Sequence, residues 1–367
     1  MNGTLAIKLK QTLVIGEAIA DEDDKTAWPG HIQFVDWIDE DRIVYCTLSG
    51  HVVCRHLKSQ TVLWQHDNPS GLKYADFSLC RNKRIFAILN CHMGSEVTDY
   101  QITLINCDTG ELLVRWDKAK INEILGVDHA LPTNIALMPV SGKLLVTTFS
   151  STFGANGFII ASDYKQVERR FDTDRHVQRI SASPNDDRIV MLADKYVVSL
   201  LDLPSNQWLF LQGERVYKKK DSEEGDSSPG INHVFHDGKA LVIFNNDGGL
   251  CGTVYTHSLS ENPVKKCFGP NAHNELDVDF ERQRIATTGP GMDITMWDFD
   301  GGQLGYLPKI TTQRNTCIKF SPSFQRLAIG SWDNTVSLYE LSLEDHPGDP
   351  KWSDSTTVEL EGPVEDH

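Results

Sequence analysis

Four polar residues lie at the starts of short strands that the sequence predicts, and their side chains could together hold a metal ion: Asn134, Asn232, Glu275 and Asn315. Amide and carboxylate oxygens are the ligands that calcium prefers, usually about six to eight of them. Glu275 is the one carboxylate of the four, although Asp277 and Asp279 follow it in the same strand. A calcium site is therefore one interpretation, and a set of residues in contact with water is the other.

The rest of the sequence contains no motif that specifies catalysis. A nucleophile elbow, a P-loop, a zinc-protease helix and a dinucleotide-binding glycine motif are all absent. His233 and His236 are three residues apart on a predicted strand, so they point to opposite faces and cannot share one ion. We therefore predict that the protein is not an enzyme and that it has no cofactor and no bound metal.

The eight cysteines indicate reduced thiols. None belongs to a C-x-x-C pair, and buried, unpaired side chains are the favoured interpretation. Cys46 and Cys54 flank Ser49–Gly50 symmetrically, so a hairpin that turns there would place them opposite each other. We predict two free thiols even so, because opposition across two strands does not by itself imply a bond.

The charge distribution excludes some partners. The chain has 51 acidic and 35 basic residues, a net charge of −16, and most of the excess lies in 17–25 and 340–367. The densest basic run, Lys218–Lys220, is followed at once by acids, so the sequence predicts no nucleic-acid partner. The acidic segment 17–24 favours a basic partner through electrostatic steering.

The sequence also lacks the usual membrane and export signals. No segment approaches the roughly 18 consecutive apolar residues of a membrane-spanning helix. Residues 1–16 alternate polar and apolar side chains, without the basic region and cleavage site of a secretory signal. These features predict a cytoplasmic protein that makes no membrane contact.

A repeat organises the whole chain. Seven segments consist of a basic residue and a short β-branched or aliphatic run, with the basic residues 42–45 residues apart except for intervals of 59 and 51. These basic residues are Arg42, Arg84, Lys143, Arg188, Lys239, Arg284 and Arg326. Further short runs of strand-forming residues, separated by turn residues, flank each segment. Four strands in a unit of about 40–50 residues predict a propeller blade.

The last two or three repeats resemble WD-repeat units. Residues 317–341 contain the turn Phe320-Ser321-Pro322, the strand Leu327–Ser331 and a run that begins at Asp333, which we predict to hold a turn. The sixth repeat ends in the dipeptide Trp297-Asp298, and the fourth keeps the pair Ser183-Pro184. The Gly-His pair of many WD repeats has no counterpart at the expected spacing. The resemblance implies the fold, an all-β propeller, and leaves the function open because members of the family differ in partner.

We predict a seven-bladed β-propeller of four-stranded antiparallel blades, a single domain over 1–342, followed by an acidic flexible tail, 343–367. The N-terminal strand within 4–15 is expected to close the last blade, because an open blade would expose a strand edge; residues 357–360 are the alternative. The blades are predicted at about 31–66, 74–117, 134–172, 176–213, 231–269, 272–309, and 315–341 plus 4–15.

The long insertions identify a binding face. With the strands of a blade lettered a to d from the axis outwards, all d–a and b–c connections lie on the same face. Every long insertion in the sequence is a connection of one of these two kinds: 17–30, 118–133, 213–230, 90–99 and 149–157. Loops on a rigid scaffold often carry binding function. The candidate partner-binding residues in or beside these loops are Trp28, His92, Met93, Phe153, Asn156 and Tyr217.

The sequence therefore favours a non-catalytic scaffold that binds a protein or peptide on its loop-rich face. The alternative is a calcium-dependent hydrolase or lactonase-like enzyme with its site in the axial channel. A structural subunit of a larger complex is a third possibility. The sequence predicts neither the identity of the partner nor the oligomeric state.

Overall fold

The computed structural model describes fifteen stretches of the chain that contain all the strands of the ring. These stretches are 5–14, 31–68, 72–91, 99–127, 131–150, 154–173, 177–193, 197–211, 233–237, 239–246, 252–258, 265–268, 275–289, 293–308 and 315–343.

The chain folds into seven four-stranded antiparallel sheets, here called blades 1 to 7 in chain order. Written from the axis outwards, the first four are β2 (Ile32–Asp39), β3 (Arg42–Thr47), β4 (Val52–His56) and β5 (Val62–His66); β6 (Lys73–Cys80), β7 (Ile85–Cys91), β8 (Tyr100–Asn106) and β9 (Leu112–Asp117); β10 (Leu131–Leu137), β11 (Leu144–Ser150), β12 (Gly154–Ile160) and β13 (Val167–Thr173); and β14 (Val177–Ala182), β15 (Arg188–Ala193), β16 (Val197–Asp202) and β17 (Gln207–Leu211).

Blades 5 and 6 follow the same pattern, and blade 7 combines both ends of the ring. Their strands are β18 (His233–His236), β19 (Ala240–Asn246), β20 (Gly252–Ser258) and β21 (Lys265–Phe268); β22 (Glu275–Asp279), β23 (Arg284–Thr288), β24 (Ile294–Asp298) and β25 (Gln303–Leu307); and β26 (Asn315–Phe320), β27 (Arg326–Ser331), β28 (Thr335–Leu343) and β1 (Leu5–Val14). The predicted all-β, seven-bladed fold is confirmed.

The core lies between the blades. One hydrophobic cluster joins blades 2 and 3, including Leu104 and Phe158, and another joins blades 7 and 1, including Trp37 and Leu338. A third places Val242 of blade 5 beside Leu276 of blade 6. Because both faces of each sheet pack against neighbours, the middle strands are continuous apolar runs, such as Ile43–Cys46 in β3.

Blade 7 is closed by the N-terminal strand, as predicted. β1 pairs with β28 from Leu5 opposite Leu343 to Val14 opposite Thr335, with a bulge between Leu9 and Gln11. Two side chains of β1 enter the core on opposite sides: Ile7 joins the cluster with blade 6 and Leu13 the cluster with blade 1. The alternative closing segment, 357–360, lies outside the described residues.

The junction of blades 7 and 1, called the closing junction below, centres on Trp37. Its side chain is fully buried, and its indole Nε1 donates to the carbonyl oxygen of Lys319 at 3.0 Å. The guanidinium of Arg326 lies 4.9 Å from the centre of the Trp37 ring. From blade 2, Arg81 Nε donates to the Trp37 carbonyl at 2.8 Å. One aromatic residue thus joins three blades.

A short helix, α1 (Lys118–Leu125), follows blade 2 where the sequence analysis expected an irregular loop. The Asp117 carboxylate caps its N-terminus by accepting from Lys120 N at 2.9 Å, and Gly126 ends it in the left-handed conformation at φ 64°. Ile121 and Leu125 are buried in the cluster between blades 2 and 3. The helix covers the end of this interior.

Two local expectations are wrong. Cys46 pairs with Val52 and Cys54 with Val44, so the two cysteines are not opposite each other; both are free, as predicted. The expected loop 149–157 is also wrong, because most of it is strand. Ser150 ends β11 and pairs with Gly154, the first residue of β12.

The predicted domain limits remain a prediction, since 344–367 lies outside the described residues. Within the parts of the chain that the structure describes, no helix combines the length and the apolar character needed to span a membrane.

Candidate functional site

The seven repeated basic residues lie at or beside the starts of the b strands, and several link neighbouring blades. Arg84 of blade 2 donates to the Ile38 carbonyl of blade 1 at 2.7 Å. Arg284 of blade 6 donates to the Phe324 carbonyl of blade 7 at 3.2 Å. These links lie on the face formed by the a–b and c–d turns, called the short-turn face. The repeated charge therefore stabilises the ring.

Polar side chains of the innermost strands also bridge the blades. Asp76 Oδ2 accepts from Ile135 N at 2.8 Å, and Asp277 Oδ2 accepts from Phe320 N at 2.8 Å. Asn134 Nδ2 donates to the Val177 carbonyl at 2.7 Å. The innermost strands of adjacent blades are not paired in one sheet, so these side chains satisfy backbone groups that the sheets leave available.

A cavity of about 570 Å³ follows the axis of the ring. The innermost strand of every blade contributes to its lining. The d–a connections lead into these strands, so the first residue of each lies towards the loop-rich face. Glu275 is the first residue of β22 and Arg179 the third of β14, which places both at that end.

Charged groups of both signs line the cavity. Asp76, Arg179, Glu275 and Lys319 come from blades 2, 4, 6 and 7. Lys319 Nζ forms an ion pair with Asp277 at 3.0 Å. Burial opposes the charged form of this lysine, yet the neighbouring carboxylates, Asp277 first, raise its pKa above the usual value. Lys319 therefore keeps its positive charge, and the carboxylate of Asp277 compensates it.

Several of the candidate calcium ligands make other contacts or lie outside the described residues. Asn134 binds the next blade, and the fully buried Asp279 accepts from Arg284 Nη2 at 2.7 Å. Asn315 is buried at the start of β26, and Asn232 lies outside the described residues. Among the residues that the structure describes, no group of three or more His, Cys, Asp or Glu side chains could hold a metal ion.

Burial makes the thiols poor nucleophiles. It raises the pKa of Cys54 to about 12, and it also raises the pKa of Cys317 to about 12. Burial raises the pKa of Cys46 further still. Because the thiolate is the reactive form, these side chains serve packing rather than chemistry.

An exposed tryptophan marks the loop-rich face. Trp332, in the turn between β27 and β28, is 36% exposed and stacks on His31 with ring centres 5.2 Å apart and an angle of 11°. His31 precedes β2 and is buried, which lowers its pKa. Its carbonyl accepts from Leu48 N at 2.8 Å, and Leu48 lines the axial cavity. The aromatic pair therefore lies beside the cavity mouth.

Most of the predicted partner-binding residues fall outside the described residues: Trp28, His92, Met93, Phe153 and Tyr217. Asn156 is described, and it lies within β12 opposite Thr148, only 5% exposed. Its Oδ1 accepts from Arg170 Nη2 at 2.9 Å. Asp333 lies in the same turn as Trp332, where its Oδ1 accepts from Thr335 N at 3.2 Å.

The residues that carried the WD-repeat resemblance form local structural contacts. Trp297 Nε1 donates to Thr287 Oγ1 at 2.9 Å in blade 6. Ser183 and Ser321, each followed by proline, accept from Arg188 N and Arg326 N at 2.9 and 3.2 Å. Both serines therefore close the a–b turns of their blades.

Sequence reasoning missed Trp332 and α1, although signals for both were present. Trp332 stands between a predicted strand end, Ser331, and the turn residue Asp333, which places it at the tip of a b–c turn. An N-cap aspartate at 117, a glycine at 126 and apolar residues at 121, 124 and 125 are typical of a short amphipathic helix.

The fold and the central cavity define a β-propeller, a fold that many solved structures share. The β-propeller domain of Cps50 (Swd1) from Myceliophteria thermophila has a TM-score of 0.63 and 13% identity, and the match covers 92% of this chain and all of that one. Raptor from Chaetomium thermophilum has a TM-score of 0.65 and 14% identity over 94% of this chain and 30% of that one. The resemblance to WD-repeat propellers is thereby confirmed at the level of the fold.

Identities this low show the fold alone. No protein-family model matches the chain, and no curated protein matches it either.

Proposed function

We propose that the protein is a non-catalytic scaffold that binds a protein or peptide partner on its loop-rich face. The observation that carries this proposal is Trp332, an exposed aromatic side chain beside the mouth of the axial cavity. Tryptophan is among the residues that most often dominate binding energy at protein interfaces. Its stacking on the buried His31 holds the ring in place, which reduces the entropy that binding would cost.

The contrast between the two faces supports the same proposal. On the short-turn face, every connection between consecutive strands of a blade has six residues or fewer. The four longest connections all lie on the loop-rich face, between β1 and β2, β7 and β8, β9 and β10, and β17 and β18. Long loops on a rigid ring are a common place for recognition. The single-domain ring over 1–342 and a cytoplasmic location belong to the same proposal.

The hydrolase alternative receives less support from the geometry. Asp277 is held by Lys319 and by Phe320 N, and Asp279 is held by Arg284. Carboxylates that already bind neighbouring side chains or backbone groups are poorly placed to act as metal ligands or as general bases. No observation on the described residues favours catalysis over binding.

A matched pair of variants tests the proposal. Tagged wild type, Trp332→Ala and Val140→Ala proteins are used for affinity capture, and the recovered proteins are quantified by mass spectrometry. Val140 is the control because it is 50% exposed on the opposite face. We expect Trp332→Ala to weaken binding of a specific partner by roughly 30-fold or more and Val140→Ala to leave it unchanged. Equal recovery of every protein by all three would contradict the proposal.

A further inference from the structure

We propose that two copies of this chain associate through the outer edge of blade 2, with their β9 strands antiparallel across a two-fold axis at Leu113. The inference goes beyond the proposed function and does not depend on it. The contact lies on the rim of the ring, so it leaves the loop-rich face of each copy accessible to a partner.

Strand β9 presents two consecutive leucines on the outside of the ring. It is the outermost strand of its sheet, and Leu112 and Leu113 are 38% and 39% exposed. Neighbouring residues of a regular strand point to opposite faces, but β9 contains a bulge. Leu112 pairs with Ile105 and Val114 with Leu104, which leaves Leu113 as an extra residue. The bulge therefore explains why both leucines are exposed.

The apolar surface continues onto blade 1. Val62 and Leu63, on the outermost strand β5, are 43% and 44% exposed. The next residue, Trp64, packs against Gly110 of blade 2. Because Gly110 is only two residues before Leu112, the two exposed pairs lie on neighbouring edges of the ring. Four such residues make a larger apolar surface than the single exposed hydrophobic residues that are normal on a protein.

Other outer strands of the ring carry charge instead. Glu168 and Arg170 are exposed on β13 of blade 3, and Lys8 and Lys10 are exposed on β1 of blade 7. Charged side chains on an edge strand, lysine above all, discourage association with another chain. The edges of blades 1 and 2 differ from these two in exposing aliphatic side chains, which favours a protein contact there.

The charges on either side of the leucines identify a second copy as the partner. Glu111 and Arg115 are both exposed, and neither forms an ion pair within the part of the chain that the structure describes. In an antiparallel arrangement about Leu113, Glu111 of each copy faces Arg115 of the other, and Leu112 faces Val114. The strand thus complements itself in charge and in apolar character, as a two-fold symmetric interface requires.

Sedimentation velocity of the full chain, from about 1 to 200 µM, measures the association. We expect wild type to shift from monomer towards dimer as the concentration rises. Leu113→Glu places two carboxylates at the axis and should weaken the association at least about tenfold. Leu9→Glu, at a leucine that is 54% exposed on the outer strand of blade 7, is the matched control and should have no effect. A wild type that stays monomeric throughout, or equal weakening by both variants, would overturn the inference.

Exchange of the two charges tests the two-fold arrangement. Glu111→Arg alone brings arginines together at both ends of the contact, and Arg115→Glu alone brings glutamates together. We expect each to weaken the association at least about tenfold. The double variant restores opposite charges and should return to within about threefold of wild type. A double variant that melts like wild type by circular dichroism and yet does not recover would overturn the arrangement.

A cross-link provides a second test that does not depend on charge. The two copies of residue 113 meet at the axis, so Leu113→Cys oxidised with diamide should give a disulfide-linked dimer on a non-reducing gel. Leu9→Cys and wild type should not. Failure of Leu113→Cys to link would overturn the position of the axis.

The outcome is separable from that of the proposed function. Trp332→Ala should associate as wild type does, because Trp332 lies on the loop-rich face, and Leu113→Glu should capture the same partners as wild type. If Trp332→Ala were monomeric under conditions in which wild type is a dimer, the rim would not be the contact.

Discussion

The two faces of the ring differ in what their side chains contact. On the short-turn face, charged residues join neighbouring blades, as Arg42 of blade 1 joins Asp108 of blade 2 at 2.8 Å. On the loop-rich face, the connections are long, and Trp332 is left accessible beside the cavity. The comparison teaches that one face fixes the ring and leaves the other available for recognition. Each prediction below can break or sharpen that division.

The largest effect is expected at the closing junction. Trp37→Ala removes a fully buried indole that packs between blades 7 and 1, and we expect it to lower the free energy of unfolding by about 3–5 kcal/mol. Trp332→Ala is the matched control on the other face, with an expected change within about 0.5 kcal/mol. Urea unfolding followed by circular dichroism measures both. Similar losses from the two variants would show that the faces do not differ as described.

A variant in helix α1 tests whether any part of the loop-rich face contributes to stability. Ile121 is only 1% exposed in the cluster between blades 2 and 3, so Ile121→Ala should lower the free energy of unfolding by about 2–4 kcal/mol. Glu123→Ala, on the exposed side of the same helix, should have little effect. A neutral result for Ile121→Ala would mean that α1 is a detachable loop element rather than a part of the core.

A smaller effect is expected from the short-turn links themselves. Arg326 of blade 7 donates to both the carbonyl and the carboxylate of Glu40 in blade 1. Arg326→Gln should lower the free energy of unfolding by about 1–2 kcal/mol. A double-mutant cycle with Glu40→Gln isolates the charge interaction, for which we expect about 0.5–1 kcal/mol because both groups are partly exposed. A coupling of zero would show that the ion pair itself adds nothing to the link between blades 7 and 1.

The smallest expected effect is on the pH dependence of stability, which should differ between a residue of the loop-rich face, His31, and one of the short-turn face, Glu40. Burial lowers the pKa of His31, so the neutral form is favoured in the fold; its contribution is present above about pH 6.5 and is lost as the pH falls through the lowered pKa. Burial opposes ionisation of Glu40, but the hydrogen bond from Arg326 lowers its pKa overall. Its contribution is lost only as the pH falls through that lowered value, below about pH 4.

Melting temperatures recorded from pH 3 to pH 8 check this order. His31→Gln should remove the loss near pH 6, and Glu40→Gln should reduce only the loss at lower pH. A His31→Gln profile that matches wild type throughout would contradict the assignment.

The architecture was predictable because the same pattern of strands and turns is repeated in every blade. Alternation, strand-forming residues and turn residues recur seven times, so an error in one repeat is corrected by the others. The closing strand was also predictable, since residues 5–14 had no other partner. The helix was not, because eight residues give a weak periodic signal, and its stability comes from Ile121 and Leu125 packing against two blades.

The candidate site was harder to predict from the sequence, and the reason is physical. Its residues come from distant parts of the chain: His31 stacks on Trp332, and Asp76 faces the same cavity as Glu275. No local pattern encodes such distances. The role of the repeated bases was hidden in the same way, because Arg84 and Arg326 are marked by the repeat while their partners lie in other blades.

The pairing of β1 with β28 also sets an order of events during synthesis on the ribosome. The hydroxyls of Thr12 and Ser337, 3.5 Å apart in the folded ring, are separated by 325 positions along the chain. Residues 5–14 therefore have no native partner until nearly the whole propeller has left the exit tunnel. Until then, this ten-residue segment has no sheet to join, so closure of the ring is the last step of its assembly.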